Sequence, residues 1–213
     1  MVKGNVSFSS LRTGSTISTV VETFYDEWAT NYDKDLEKWG YRAPKYAAAL
    51  LNSHLLANAN VLDVGCGTGR FAEALLAHKP SVVTGIDISQ PSLKLADCRR
   101  VYARLQRCDL QELPLPFHDN GFDAAASVGV LAYIAHPGEF LTELCRIVCP
   151  KGYILFTHRD DRWQESHFDK LLESIEEQGL WTILDISEAK PYLPGNKDFA
   201  NNIKVIYVLC CVL

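Results

Sequence analysis

From Val20 to Leu36 the apolar and aromatic residues Phe24, Tyr25, Trp28, Tyr32 and Leu36 recur at spacings of three and four. That period predicts an amphipathic helix, or a broken pair of helices, with Tyr25, Trp28 and Tyr32 on one face. A second helix is expected after Pro44, because proline suits a first turn and KYAAALLNSHLL is made of good helix formers. After Asn58 the pattern changes to short apolar runs alternating with helical stretches. NVLDV, SVVTGID, VYARLQRCDL, GFDAAASVGV and GYILFTH read as strands. The stretches from Arg70 to His78, from Pro91 and through GEFLTELCRIV read as the helices between them. Strands this apolar are covered by helices on both faces, which predicts a doubly wound, mainly parallel α/β sheet.

The end of the chain breaks the alternation. FDKLLESIEEQGL predicts a helix, and WTILDIS and NIKVIYVLCCVL follow with only a loop between them, so this last pair is expected to be antiparallel. Residues 1 to 19 are rich in Ser, Thr and Gly, show no sustained period and are expected to form a mobile leader. Residues 20 to 213 then make one domain, with a helical part over 20–57 and a Rossmann-like core over 58–213.

Composition narrows the function classes. The 213 residues are 47% hydrophobic and 22% charged with a net charge of −5, which is ordinary for a packed domain. Lys and Arg never run longer than a pair; the group Arg99, Arg100, Arg104 and Arg107 reads as a solvated helix end, and no nucleic-acid partner is expected. Seven cysteines without a C-x-x-C pair and no N-terminal apolar segment fit reduced thiols and a cytoplasmic protein. The longest apolar run, Val205 to Leu213, is half a membrane span, and no membrane partner is expected. None of the six histidines has zinc-like spacing, so no metal is expected.

The chemistry concentrates in NVLDVGCGTGRF, Asn60 to Phe71. Glycines between a strand and a helix let backbone approach a ligand closely, at the sheet edge where open α/β folds bind theirs. Gly65, Gly67 and Gly69 do not keep the dinucleotide register, since Arg70 stands where G-x-G-x-x-G needs its last glycine. A tight turn without a ligand is the other reading. Two acids favour a ligand. Asp87 ends the next strand, placed to accept hydrogen bonds from both ribose hydroxyls, and Asp109 lies near the end of the third, placed to accept one from a base amine.

The series VLDVGCGTG, GIDIS, RCDLQELPLPFHDNGFDAAASVGVLAYI and FLTELCRIVCPKGYILFTH resembles the class I S-adenosylmethionine-dependent methyltransferases over about residues 58 to 160. YDEWATNYDKDLEKWGYRAP further resembles the Williams-Beuren syndrome region methyltransferase-like group. The resemblance implies a seven-stranded sheet of order 3-2-1-4-5-7-6 with the last strand antiparallel, and an N-terminal helical lid. Its implied cofactor is S-adenosyl-L-methionine, leaving as S-adenosyl-L-homocysteine. It assigns Asp63, Gly65, Gly67 and Gly69 to the methionine-side loop and Asp87 to the ribose. Ile88 and Leu110 go to the adenine ring, Asp109 to its amine, and Ser127 and Val128 to closing the crevice. Tyr25, Trp28 and Tyr32 are either lid residues over the cofactor or simple packing against the sheet.

For the acceptor side the sequence offers only weak catalytic candidates. Related small-molecule enzymes often carry histidine after the fourth strand, where this chain has Tyr133, with His136 three residues on and before a proline that suits a helix start. His158 lies in THRDD, which reads equally as an acceptor grip or a solvated turn. A small-molecule acceptor is expected, with a protein side chain as the other class, in a monomer or weak dimer. The alternative is a cofactor-binding protein of the same fold that has lost catalysis and serves a protein partner.

Overall fold

A computed structural model describes residues 14–199 and 203–213. Helix α1 (Ser18–Lys38) and α2 (Ala43–Asn52, with Pro44 in its first turn) precede the sheet. The core then alternates: β1 (Ala59–Val64), α3 (Arg70–Leu76), β2 (Ser81–Asp87), α4 (Gln90–Cys98), β3 (Arg104–Arg107) and β4 (Phe122–Ser127). A short 3-10 turn (Leu131–Tyr133) leads to α5 (Pro137–Ile147), β5 (Val148–Arg159), α6 (Asp160–Glu165) and α7 (Phe168–Glu177). β6 (Trp181–Ile186), β7 (Lys190–Pro191) and β8 (Lys204–Val212) complete the sheet.

The strand order is β3-β2-β1-β4-β5-β8-β6. β1 to β5 are parallel, and β8 lies antiparallel between β5 and β6. This is the expected 3-2-1-4-5-7-6 order, with one addition. The two-residue β7 pairs with β8 and was not visible as an apolar run, so the expected seventh strand is the eighth in chain order.

Alternation along the central strands splits their side chains between two cores. Val61, Ala124 and Leu155 face one side with Trp28, Leu36, Leu51, Phe71 and Leu75, and so pack under α1, α2 and α3. Leu62, Ala125 and Phe156 face the other with Phe140, Leu144, Phe168 and Leu172 of α5 and α7. Helices thus cover both faces, which is why these strands carry no polar side.

Part of the expected leader is held in place. Ser18 and Thr19 already belong to α1, and the Thr16 carbonyl accepts a bond from the Gln111 side chain. The rest of the expected leader, residues 1–13, lies outside the described residues. Among the described residues no helix is long and apolar enough to cross a membrane.

Candidate functional site

The site forms where β1, β2 and β4 end and the chain turns back into helices. Gly65, Gly67 and Gly69 all have positive φ, of 73°, 52° and 90°, a region that only glycine enters without strain. The Gly65 and Cys66 amides both donate to the Ile86 carbonyl, at 2.8 and 2.9 Å, which ties the turn to β2. A Cβ on Gly65 would stand 2.3 Å from Val130 Cγ2, and one on Gly69 3.0 Å from the Tyr102 ring. A Cβ on Gly67 would meet nothing within 4 Å. Two glycines therefore permit close packing, and the third leaves space open beside the loop.

That space is part of a cleft enclosing about 680 Å³, some of it open to solvent. Gly65 and Gly67 form one wall, Asp87 and Ile88 the next, and Asp109 and Leu110 the third. Val128, Gly129, Val130 and Tyr133 close it from the β4 side, and Ser18, Val21, Tyr25 and Tyr32 of α1 cover it. The Asp87 carboxylate accepts from the Gly67 and Ser89 amides, both at 2.8 Å, so the acid fixes the glycine turn as well as facing the cleft. Burial raises its pKa above the ordinary value, although these amide bonds oppose the shift. Asp109 accepts from the Gln111 amide at 3.0 Å, an Asx turn that holds its carboxylate at the cleft.

Asp63 does not line this cleft. It is 1% exposed and borders a smaller adjoining pocket with Gly65, Gly67, Arg70 and Tyr32. Its Oδ2 accepts from the Tyr102 hydroxyl at 2.6 Å. Burial raises its pKa to about 7, with the Tyr102 bond opposing and the Asp87 charge adding to the rise. Gly69 caps α3 behind the loop, and Ser127 is fully buried at the end of β4, its Oγ without a hydrogen-bond partner. Neither lines the cleft.

Trp28 also departs from the expected group. Its indole donates to Asp35 at 2.8 Å and packs 4.6 Å from Tyr32 and 5.7 Å from Trp39, on the core side of α1. Tyr25 and Tyr32 reach the cleft and Trp28 stands behind them. A further compartment of about 550 Å³ opens beyond Tyr25, Tyr32, Gly129, Val130 and Tyr133, which it shares with the cleft. Trp28, Tyr41, Arg159, Tyr192 and Phe199 also line it.

Of the catalytic candidates, Tyr133 sits between the cleft and this compartment. His136 is exposed at the cap of α5 and makes no side-chain capping bond. His158 is among the residues that line the compartment. Alternation along β5 turns its ring to the other face, 4.3 Å from Phe168, and burial together with the Arg159 charge lowers its pKa to about 4. THRDD is no solvated turn: His158 and Arg159 end β5 buried, and Asp160 begins a helix.

Several site residues carried no sequence signal. Arg99, expected at a solvated helix end, instead donates to the Thr68 carbonyl at 2.6 Å and pairs with Glu73 and with Asp33 of α1. Asp33 also accepts from Thr68 Oγ1 at 2.6 Å, and Asp26 accepts from Ser89 Oγ at 2.6 Å. Glu22 pairs with Arg107. These acids of α1 land on the loops that carry Gly67, Asp87 and Asp109. Among the described residues no group of His, Cys, Asp and Glu is placed to hold a metal ion.

Residues 62–156 match the methyltransferase domain family. With the strand order and the acid-lined cleft, that match likens this part of the chain to the class I S-adenosylmethionine-dependent methyltransferase domains, a class whose cofactor is S-adenosylmethionine. Human methyltransferase-like protein 27 is 35% identical over 164 residues, which cover 74% of this chain and 66% of that protein. The fatty-acid O-methyltransferase of Mycolicibacterium smegmatis is 30% identical over 126 residues, covering 56% of this chain and 46% of that enzyme. The chain thus spans less than two thirds of the length of either curated relative. Among solved structures, the complex between the Haloferax volcanii Trm112 methyltransferase activator and a methyltransferase matches with a TM-score of 0.68 at 19% identity. It covers 88% of this chain and 97% of the other, a likeness of fold.

Proposed function

We propose that this chain transfers a methyl group from S-adenosylmethionine to a small-molecule acceptor. The observation that carries the reading is the adjacency of two spaces, an acid-lined cleft at the ends of β1, β2 and β3 and an aromatic compartment, which share Tyr25, Tyr32, Gly129, Val130 and Tyr133. The open side of Gly67 and the paired carboxylates of Asp87 and Asp109 fit an adenosyl group. When bound, the cofactor supplies a methyl on a sulfonium, already activated for in-line displacement.

The chain's own residues bind and orient. Asp87 accepts both ribose hydroxyls, Asp109 accepts the adenine amine, and Ile88 and Leu110 hold the ring between them. Gly65 and Gly67 bring backbone against the methionine side, with Asp63 behind them. Tyr25 and Tyr32 cover the sulfonium end as a lid, exclude water and present ring faces to a cation. Positioning then supplies much of the rate. The fatty-acid O-methyltransferase among the relatives supports a small acceptor. The segment Tyr25–Pro44, with its aromatic residues on the compartment wall, supports the narrower Williams-Beuren region group.

Mass spectrometry after incubation with S-adenosylmethionine and a panel of small acids, amines, phenols and thiols tests this reading. One methylated product is expected. Homocysteine-cofactor binding with no product across the panel would favour the non-catalytic, partner-serving alternative.

A further inference from the structure

The aromatic compartment is lined by five tyrosines, Tyr25, Tyr32, Tyr41, Tyr133 and Tyr192, and by one ion, Arg159. The Tyr41 and Tyr192 hydroxyls would stand 3.0 and 3.4 Å from a Cβ on Gly129, and the Tyr25 and Tyr133 hydroxyls are within hydrogen-bonding reach of each other. Arg159 is 5% exposed, lies 5.5 Å over the Phe199 ring and acts electrostatically on Tyr133 and Tyr192. Its Nε and Nη2 donate to the two carboxylate oxygens of Asp161, which is about a third exposed, and of this pair the arginine lines the compartment.

No side chain facing this space, among the described residues, is a ready proton acceptor. Burial first, then neighbouring hydroxyls, raises the tyrosines and keeps them protonated. Thr157 Oγ1 accepts the Gly129 amide at 2.8 Å, and the His158 ring lies on the other face. An acceptor must therefore arrive with its lone pair free. Donors and a guanidinium disfavour an amine that carries or gains positive charge, and a thioether would leave the donors unmatched.

Resting on the methyltransferase reading, we infer that the acceptor is a carboxylate on an apolar body, recognised by Arg159 with the hydroxyls of Tyr41, Tyr133 and Tyr192, and that the product is its methyl ester. A carboxylate oxygen gives its lone pair to the new O–C bond as the sulfonium S–C bond breaks, and the bonding pair passes to sulfur. Charge is neutralised on both sides, and no proton moves.

Calorimetry on the full chain with bound S-adenosylhomocysteine tests this with 3-phenylpropanoate, its amide and the matching amine as probes. The carboxylate is expected to bind at least tenfold more tightly than the amide, and the amine more weakly than either. Arg159→Gln should abolish that preference while S-adenosylhomocysteine affinity stays within about threefold, and Arg159→Lys should restore part of it. With the carboxylate as acceptor, kcat/KM should stay flat from about pH 6 to 9, since the acid is ionised throughout. Equal binding of carboxylate and amide, or a preference unchanged in Arg159→Gln, overturns the inference while leaving the cofactor reading intact. Failure of the folded wild type to bind S-adenosylhomocysteine would instead remove the reading beneath it.

Discussion

Asp87 shows how one residue serves fold and site together. Its carboxylate holds the Gly67 and Ser89 amides and faces the cleft, so Asp87→Ala removes both the proposed ribose acceptor and the anchor of the glycine turn. Binding of S-adenosylhomocysteine should weaken by about 1–3 kcal/mol, read by calorimetry; unchanged affinity in a folded variant would remove Asp87 from the site. Asp63 carries a different signature. Its pKa of about 7 in the folded chain lies above the unfolded value of about 4. Between those limits the native state holds a proton that the unfolded state lacks. Its stabilising contribution is thus full below about pH 4 and is lost as pH rises toward 7. Asp63→Asn should accordingly gain stability relative to the wild type as pH rises through that window, and parallel Tm profiles would show that burial does not control this acid. Asp87 was legible because it closes an apolar run, and Asp109 because it falls near the end of the next expected strand. Tyr102, 39 residues beyond the Asp63 it bonds, and Arg99, which bonds the loop and α1, were not. Their partners are set by tertiary packing, which leaves no local period.

At the scale of elements, α1 has two kinds of attachment. Trp28, Ala29 and Leu36 are its buried residues, whereas Glu22, Asp26 and Asp33 tie it to Arg107, Ser89, Thr68 and Arg99 on the loops of the cleft. The apolar period announced the helix and its inward face. It did not separate Tyr25 and Tyr32, at the cleft, from Trp28, one turn away in the core, because all three share the stripe. Trp28→Ala should therefore cost about 3–5 kcal/mol of stability in urea unfolding, while cofactor affinity of the folded fraction changes less than about threefold. A large affinity loss with little loss of stability would return Trp28 to the cleft. If α1 acts as the proposed lid, its acids are latches. The double variant Asp26→Asn with Asp33→Asn should speed S-adenosylhomocysteine release several-fold in stopped-flow fluorescence. Added salt should act in the same direction in the wild type, since these ion pairs are partly exposed. Release rates insensitive to both would mean that the cleft opens elsewhere.

At the scale of the molecule, the parallel core and the antiparallel β8 were legible, because covered strands are apolar throughout and a missing helix forces the last pair to reverse. The compartment beyond the cleft was not, since Tyr41, Arg159 and the pair Tyr192 and Phe199 come from three separate segments of the chain that the fold brings together. The order of the sheet places glycines and acids on adjoining strand ends and sets the tyrosine-lined space beside them. The central claim is that this arrangement is an adenosyl site opening on an acceptor site. Titration calorimetry of the full chain with S-adenosylmethionine and S-adenosylhomocysteine tests it most directly. The account predicts one saturable site for each ligand, weakened in Asp87→Ala; a folded wild-type chain that binds neither would contradict it.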